Sequence, residues 1–477
     1  VREKAFTQRF YLYLIMTKSA EKLYMSYAVK NSEGAALIPS YIIRSMRKMF
    51  SHCLKLSYKD TAQQNSYVTI PRAANSFDNT EIAANVDEDI IDSLTGGRLV
   101  GSVTSFENFA ECPLRYYLRY GVDLKEREEF TFSPVNFGVV LHAVIREVCD
   151  EIKKNGESYY LISEEKRREM VKRSVAAITD IYQNSILKDS SRNSFMIKRM
   201  EDLADRTVWA MGEQLKCGDF VPFVFEHKFN MEVGDGDRKQ LMSGTIDRVD
   251  ICENGTDVYV RIIDYKTGKK DFNIVKTYYG IDIQLMVYME AAMKLVAKMR
   301  PGKNVIPAGV FYYNISDPIV SATTESAEEI EDKIKGELRL KGMVNSDKDI
   351  AEEMDNTEGT SLNIPVSRKA DGGFDSRRSK VMNTEQFNML GRFVDVRAID
   401  TADRIVGGDI RRSPYKDGQF SSCDRCPYGA VCGFSVDLPG CNYRKLKKFD
   451  DEVLWNNIKE GVDENGKKMD TGAEERD

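Results

Sequence analysis

The stretch SGTIDRVDICENGTDVYVRIIDYKTG carries two carboxylates and a lysine whose spacing could do phosphodiester chemistry. Side chains alternate on a strand, so Asp264 and Lys266 share one face and Tyr265 the other. With a hairpin turn near Asn254 and Gly255, Asp247 falls across from residues 262–264 of the next strand. Two carboxylates on neighbouring strands can share one divalent cation, and magnesium prefers such hard oxygen ligands. A cation there would polarise a phosphate and acidify a coordinated water. The lysine would position that water or offset charge developing on the phosphate. An isolated D-x-K is more often a surface ion pair at a strand end. Here Asp264 ends the apolar run VYVRII and the preceding strand brings its own acid, which favours a cleft.

Two helices offer further candidates. In FGVVLHAVIREVCDEI the apolar residues recur at helical spacing, and His142 borders that stripe. This position suits a side chain reaching from the core edge, as ligand or as satisfied imidazole. Gln284 and Tyr288 are four apart on the helix GIDIQLMVYMEAAMKLVAKM, hence on one face, and could hold a DNA backbone. Glu226 reads as a polar residue at a strand edge.

A second constellation is SSCDRCPYGAVCGF, with Cys423, Cys426 and Cys432 in one loop. A closed tetrahedral zinc site or an iron–sulfur cluster takes four ligands. Cys441 is nearest in sequence. Cys112 is distant, but Cys112-Pro113 echoes Cys426-Pro427. Nine cysteines in a long chain without a signal peptide point to metal binding in the cytosol rather than to disulfides.

The elements that must position these groups can be read along the 477 residues. Strand candidates are FYLYLIM and KLYMSYA within 7–31, then FVFEHKFNMEV, SGTIDRVDIC, DVYVRIIDYKTG and AGVFYYNI. Helices are expected around YIIRSMRKMF, after the caps Ser102, Thr104 and Ser105, from Pro134, over 163–215, after Gly280 and over 384–405. Residues 32–98 read as mixed and linker-like, 320–380 as a charged, irregular insertion with a mobile loop, and the C-terminal tail as partly disordered. The net charge of −6 excludes a bulk basic nucleic-acid binder. Basic residues cluster locally instead: Lys266, Lys269, Lys270 and Lys276 in one patch; Arg411, Arg412, Lys416, Arg425, Arg444, Lys445, Lys447 and Lys448 in another. No apolar run approaches the length of a membrane span. A first residue Val1 rather than Met suggests a piece of a longer protein.

Taken together, SVTSFENFAECPLRYYLRYGVDLKER, FGVVLHAVI, GTIDRVD, IIDYKTG, IQLMVYM and CDRCPYGAVCGF resemble, in order, the C-terminal part of the AddB family, the B component of bacterial ATP-dependent helicase/deoxyribonucleases. The resemblance spans roughly residues 99–446. It implies an α/β PD-(D/E)XK nuclease core of RecB type, with a mixed sheet flanked by helices and closed by an iron–sulfur staple. Residues 1–98 would be the end of a helicase-like domain with a linker, and 447–477 a charged tail. The metal site would take His142, Asp247, Asp264 and the backbone carbonyl of Tyr265, with Lys266, Gln284 and Tyr288 as catalytic partners. The ion would be Mg2+, with Mn2+ or Ca2+ able to occupy the same place. The 4Fe-4S cluster would sit on Cys112, Cys423, Cys426 and Cys432.

In function, the resemblance implies a metal-dependent DNA exonuclease that processes double-strand ends for recombinational repair. It would act on ends and unwound single strands in a heterodimer with an AddA-type partner, in the cytoplasm. RFYLYLIMTKSAEKLYMSY is similar to the end of a superfamily 1 helicase core, but reads Thr17-Lys18-Ser19 where that pattern has T-R-A. No G-x-x-x-x-G-K-[ST] loop is present, so no ATPase activity is expected of this stretch. The alternative is a non-catalytic DNA-binding scaffold with a structural iron–sulfur or zinc site. A CRISPR-adaptation nuclease shares the cysteine layout but lacks the helicase-like stretch.

Overall fold

A run such as VYVRII is apolar at nearly every position, so both of its faces must be covered. In the computed structural model of the chain, the described residues are 99–125, 134–181, 191–233, 240–321, 326–436 and 441–474, with short stretches before residue 92. The chain forms two compact units, Val1–Asp78 and Asn79–Asp477.

In the first unit, Tyr41–Met49 is a helix, as its sequence suggests. Residues Phe10–Leu14, Met16 and Thr17 are also helical, where a strand was expected. Lys18 N–H donates to the Leu14 carbonyl at 3.2 Å and the Thr17 hydroxyl to the Tyr13 carbonyl at 2.9 Å. Short apolar runs satisfy either period, and local helical hydrogen bonds decided this one. Of KLYMSYA only Leu23, Met25 and Tyr27 are described, exposed and not in a strand, and Ser19 and most of 32–98 lie outside the described residues.

The second unit contains, in chain order, β1 (Val100–Ser102), α1 (Val103–Glu111), α2 (Pro134–Lys154), α3 (Glu164–Ile181), α4 (Ser191–Lys216), β2 (Val221–Val233), β3 (Gln240–Asn254), β4 (Asp257–Lys266), α5 (Gln284–Met299), β5 (Asn304–Asn314), α6 (Ala327–Glu337), β6 (Lys341–Asn345), α7 (Lys348–Met354), β7 (Val381–Met382) and α8 (Thr384–Val406). A small sheet of β8 (Tyr415–Asp417), β9 (Phe420–Ser421) and β10 (Arg444–Lys445) follows, and then α9 (Asp451–Glu474).

Seven strands make one mixed sheet in the order β1-β3-β4-β5-β6-β7, with β2 also on β3. The β3–β4 hairpin turns at Gly255, whose φ of +57° suits a residue without Cβ, and pairs Asn254 with Asp257. Strand β4 is central and buried along nearly its whole length. One face of the sheet carries Val258, Val260, Ile262 and Val310 under α1, α5 and α8. The other carries Tyr259, Ile263, Tyr265 and Phe311 under α2, α3 and α4. This is the expected α/β arrangement, a mixed sheet with helices on both faces.

The edge usage of β3 creates the feature on which the site is built. Strand β2 runs antiparallel along one whole edge, from Val221↔Ile251 to Val233↔Gln240. Strands β1 and β4 must therefore share the other edge. β1 occupies it at Leu241–Ser243, and β4 from Arg248↔Ile263 onward. Between them the sheet forks, and Asp247 stands in the opening.

Two expectations are corrected. The stretch 320–380 is not simply an irregular insertion: it supplies β6 to the main sheet, with β7 directly after it, and Ile350, Met354, Ile364 and Val366 to the core. Short strands flanked by charges leave little periodic signal. The C-terminal tail begins as α9, whose Leu454 and Ile458, one turn apart, are buried in the same core as α8. That apolar pair outweighs the charged composition around it.

Beneath the fork, on the other face, Arg248 forms a two-pronged pair with Asp250 (2.7 and 2.6 Å), and Arg261 Nε donates to Asp250 at 2.8 Å. All three side chains are shielded from water. Asp250→Ala leaves two guanidinium groups uncompensated, and the expected cost is about 3–5 kcal/mol. Urea unfolding measures it, and an unchanged midpoint would contradict the assignment.

Candidate active site and cysteine clasp

The last backbone pair of the hairpin is Arg248↔Ile263, so Asp247 and Asp264 face each other one step beyond it. Past that point the Tyr265 N–H donates to Asp247 Oδ2 at 2.6 Å, which ties the two arms of the fork through a carboxylate. Asp264 lies 2.6 Å from Lys266 Nζ, its neighbour on the same face of β4.

The opening lets both helical layers reach the carboxylates. From one side, α2 brings His142, its Nδ1 3.5 Å from Asp247 Oδ1 and 3.8 Å from Glu226 Oε1. Its ring meets Tyr265 edge-on at 5.9 Å. From the other side, α5 brings Gln284 and Tyr288. Lys266 Nζ donates to Gln284 Oε1 at 2.9 Å, and Gln284 Nε2 donates to the Tyr288 hydroxyl at 2.9 Å. The Tyr288 ring packs edge-on against Phe229 at 5.6 Å. Gly244 makes that possible: a Cβ there would stand 2.7 Å from Phe229 and 3.0 Å from Tyr288.

His142, Glu226 and Asp247 form a set whose ligand atoms all fall within 4.8 Å of one another. Glu226 was discounted in the sequence. The signal lay in the register, since it is opposite Asp247 between the pairs Phe225↔Arg248 and His227↔Ile246. Its φ of +48° is uncommon for a glutamate and stores about 1–3 kcal/mol of strain. Of the expected metal residues, His142 and Asp247 belong to this set, Asp264 is held by Lys266, and Tyr265 meets the site through its N–H. Gln284 and Tyr288, expected to hold a DNA backbone, are buried and hold Lys266.

The electrostatics favour a cation. Burial, and next the charge of Asp247, push the Asp264 carboxyl up to about 7 against the pull of Lys266. Burial and then Asp247 also raise Glu226. Burial opposes a charge on His142, but contact with Asp247 and the surrounding carboxylates outweigh it and raise the imidazole. Carboxylates crowded in a dry setting repel, and a divalent ion with oxygen and imidazole donors relieves the repulsion. The donor set therefore fits a hard cation.

The four cysteines expected to act together converge. Burial raises the Cys112, Cys423 and Cys432 thiols, and each also feels its neighbours in this set. Against that rise, nearby backbone N–H groups of Arg115, Ser413 and Leu114 favour the Cys112 thiolate, and that of Phe434 the Cys432 thiolate. Such N–H groups suit thiolates, so the residues fit a thiolate-bound group. Cys441 is buried. The clasp is braced across the unit: Tyr428 hydroxyl donates to the Leu124 carbonyl at 2.9 Å, Leu114 N–H to the Arg411 carbonyl at 3.3 Å, and Arg444 to the Ala110 carbonyl. Much of the nearby basic patch is thus used internally. Arg411 is also bound to Asp409 at 2.7 Å, and Arg412 donates to the Cys432 carbonyl at 3.3 Å.

A different basic surface adjoins the site. A cleft of about 1330 Å³ opens where β4 ends, lined by Thr267, Lys269 and Lys270, with Lys198 and Arg199 of α4 and Lys341 and Lys380 of the insertion. Phe195 is exposed within it.

Comparison with known proteins agrees with this geometry. Residues 101–433 match the model of the PD-(D/E)XK nuclease superfamily. The B component of the ATP-dependent helicase/deoxyribonuclease of Caldanaerobacter subterraneus subsp. tengcongensis is 31% identical over 100% of this chain and 46% of its own length. The proteins of the same name from Clostridium acetobutylicum and Lachnoclostridium phytofermentans are each 30% identical, over 98% and 99% of this chain and 45% of their own lengths. The chain spans somewhat less than half the length of the curated relatives it matches.

Removing a donor tests the cation site directly. Glu226→Gln and His142→Ala are each expected to weaken Mn2+ binding at least ~10-fold, read by isothermal titration calorimetry. Wild-type affinity in both would remove Glu226 and His142 from the site.

Proposed function

The chain belongs to the PD-(D/E)XK nuclease superfamily, and from that premise we propose that it is a metal-dependent deoxyribonuclease working as the nuclease part of a helicase–nuclease complex. The observation that carries this reading is the pair Asp247 and Asp264 facing each other across the fork, with Lys266 on one and His142 and Glu226 on the other. Relatives named as the B component of a helicase/deoxyribonuclease support a partner of AddA type and DNA as substrate. Processing of double-strand ends for recombinational repair, in the cytoplasm, is the setting this implies. Among the described residues no helix is long and apolar enough to cross a membrane.

Asp247, Glu226 and His142, with Asp264 and the Tyr265 carbonyl, would hold Mg2+. When bound, such an ion polarises the scissile phosphate and acidifies a coordinated water. The chain's own residues do the rest. Asp247 bridges the arms of the fork, so its carboxylate is presented from a fixed backbone. Lys266 carries its charge beside the reacting phosphate and orients the attacking water. Gln284 and Tyr288 keep the ammonium in one place. The cleft beyond β4 supplies phosphate contacts from Lys269, Lys198 and Arg199, and Phe195 offers a ring for a base to stack on.

Cys112, Cys423, Cys426 and Cys432 would hold a 4Fe-4S cluster. What supports a cluster over zinc is the resemblance carried by Cys112-Pro113 and CDRCPYGAVCGF. The cluster's role is structural: it joins the start of the nuclease unit to its end.

Asp264→Ala and Lys266→Ala are expected to abolish Mg2+-dependent cleavage of a labelled oligonucleotide while leaving the fold intact by circular dichroism. Binding without cleavage by the wild-type chain would instead mean a DNA-binding scaffold. Charge removal at Lys198 and Arg199 should weaken binding evenly across sequences and lower the salt slope by about 1 for each phosphate no longer neutralised. Anaerobically purified protein should be brown, with a broad visible absorption that Cys112→Ala abolishes. A colourless zinc protein would contradict the cluster.

A further inference from the structure

We propose that Glu107 is a positioning residue for Lys266: it caps the N-terminus of α5 from another element and so fixes the Gln284 side chain that holds the lysine. This rests on the nuclease reading, in which Lys266 acts on the reacting phosphate.

Helix α5 starts at Gln284 without a cap of its own. Its N-cap residue is Ile283, which has no side-chain acceptor. The preceding Asp282 is engaged elsewhere, taking Lys270 Nζ at 2.9 Å and the Tyr312 hydroxyl at 2.7 Å. The first N–H groups of a helix need acceptors. Glu107 provides one from α1: its Oε1 accepts the N–H of Ile283 at 2.9 Å and of Gln284 at 3.0 Å. Burial pushes the Glu107 carboxyl up to about 7 against the pull of Lys270, so the two N–H bonds rather than a full charge carry the cap.

The cap lands on Gln284, which holds Lys266 from the side opposite its own strand. The Gln284 amide has both ends committed, its oxygen to Lys266 and its nitrogen to Tyr288. Its placement therefore follows its backbone, and Glu107 holds that backbone. Helix α1 is itself a firm mount. Ser102 caps it through the Ser105 N–H, and Phe106 and Phe109 are buried in the core. A short helix used only for packing has no need of a carboxylate in this partly shielded position. A carboxylate bonded to two N–H groups at the base of the lysine's support has a purpose there.

The test uses the full chain and two readouts. The first is single-turnover cleavage of a 5′-labelled single-stranded oligonucleotide with Mg2+. Glu107→Ala is expected to slow it ~10- to 100-fold with little change in oligonucleotide affinity, and Glu107→Gln, which keeps an acceptor oxygen, to recover most of the loss. In a Gln284→Ala background, Glu107→Ala should add nothing, because the link it acts through is already gone. The second readout needs no catalysis: the rate of amine acylation at Lys266, followed by mass spectrometry, should rise in Glu107→Ala and in Gln284→Ala alike. Unchanged labelling of Lys266 in Glu107→Ala overturns the proposal, as does an equal loss of cleavage with and without Gln284. A wild-type chain that fails to cut would sink the nuclease reading, and the labelling result would still decide the role of Glu107.

Discussion

A strand has two edges, and β3 must serve three partners. With β2 along the whole of one edge, β1 and β4 divide the other, and the sheet has to open where they part. The carboxylates of the candidate cation site gather at that opening. Backbone groups at a fork lose their ladder partners, and unpaired polar groups away from water are costly. Asp247 meets that need by accepting the Tyr265 N–H, so one carboxylate closes the fork and faces the candidate cation site. The opening is also the one place in the sheet where His142, from the layer on one face, and Gln284, from the layer on the other, come to the same group of acids.

The two charged clusters of the sheet solve opposite problems. Arg248, Asp250 and Arg261 are sealed from water, and one carboxylate is shared by two guanidinium groups. Around Asp247 the balance is left incomplete: Lys266 serves Asp264, but His142 and Glu226 lean on an acid that already faces another. The excess around Asp247 is of carboxylates, and a divalent cation fits that excess. The cysteine clasp works at a larger scale. Cys112 ends the helix that carries Glu107, and the other three thiols lie after the last strand of the main sheet, so a group held by all four would join distant parts of the unit.

Much of this architecture is legible in the chain's local patterns. Period-two runs mark β2 to β5, helical stripes mark α2, α5 and α8, and the D-x-K at Asp264 and Lys266 stands out because it ends a buried strand. Cys423, Cys426 and Cys432 are legible from spacing, while the choice of Cys112 over Cys441 needs a family pattern. Phe10–Met16 misleads because a short aromatic run fits either period. The strands β6 and β7 are hidden by charged flanks and by their shortness. Glu226 looks like any strand-edge acid, since nothing in VFEHKF reveals which residue lies across from it.

The sequence by itself determined which residues could be ligands, which runs would be buried, and that a hairpin would bring Asp247 near the end of the next strand. Those are local properties, set by side-chain chemistry and by periods of 2 and 3.6. The tertiary structure alone decided the rest. A turn centred on Gly255 and Thr256 set Asp264, rather than residue 262, opposite Asp247. The competition of β1 and β4 for one edge opened the fork, and a cap from α1 reached Gln284 across 177 residues of chain. Register, edge sharing and long-range capping depend on which elements meet in space, and no local pattern encodes that.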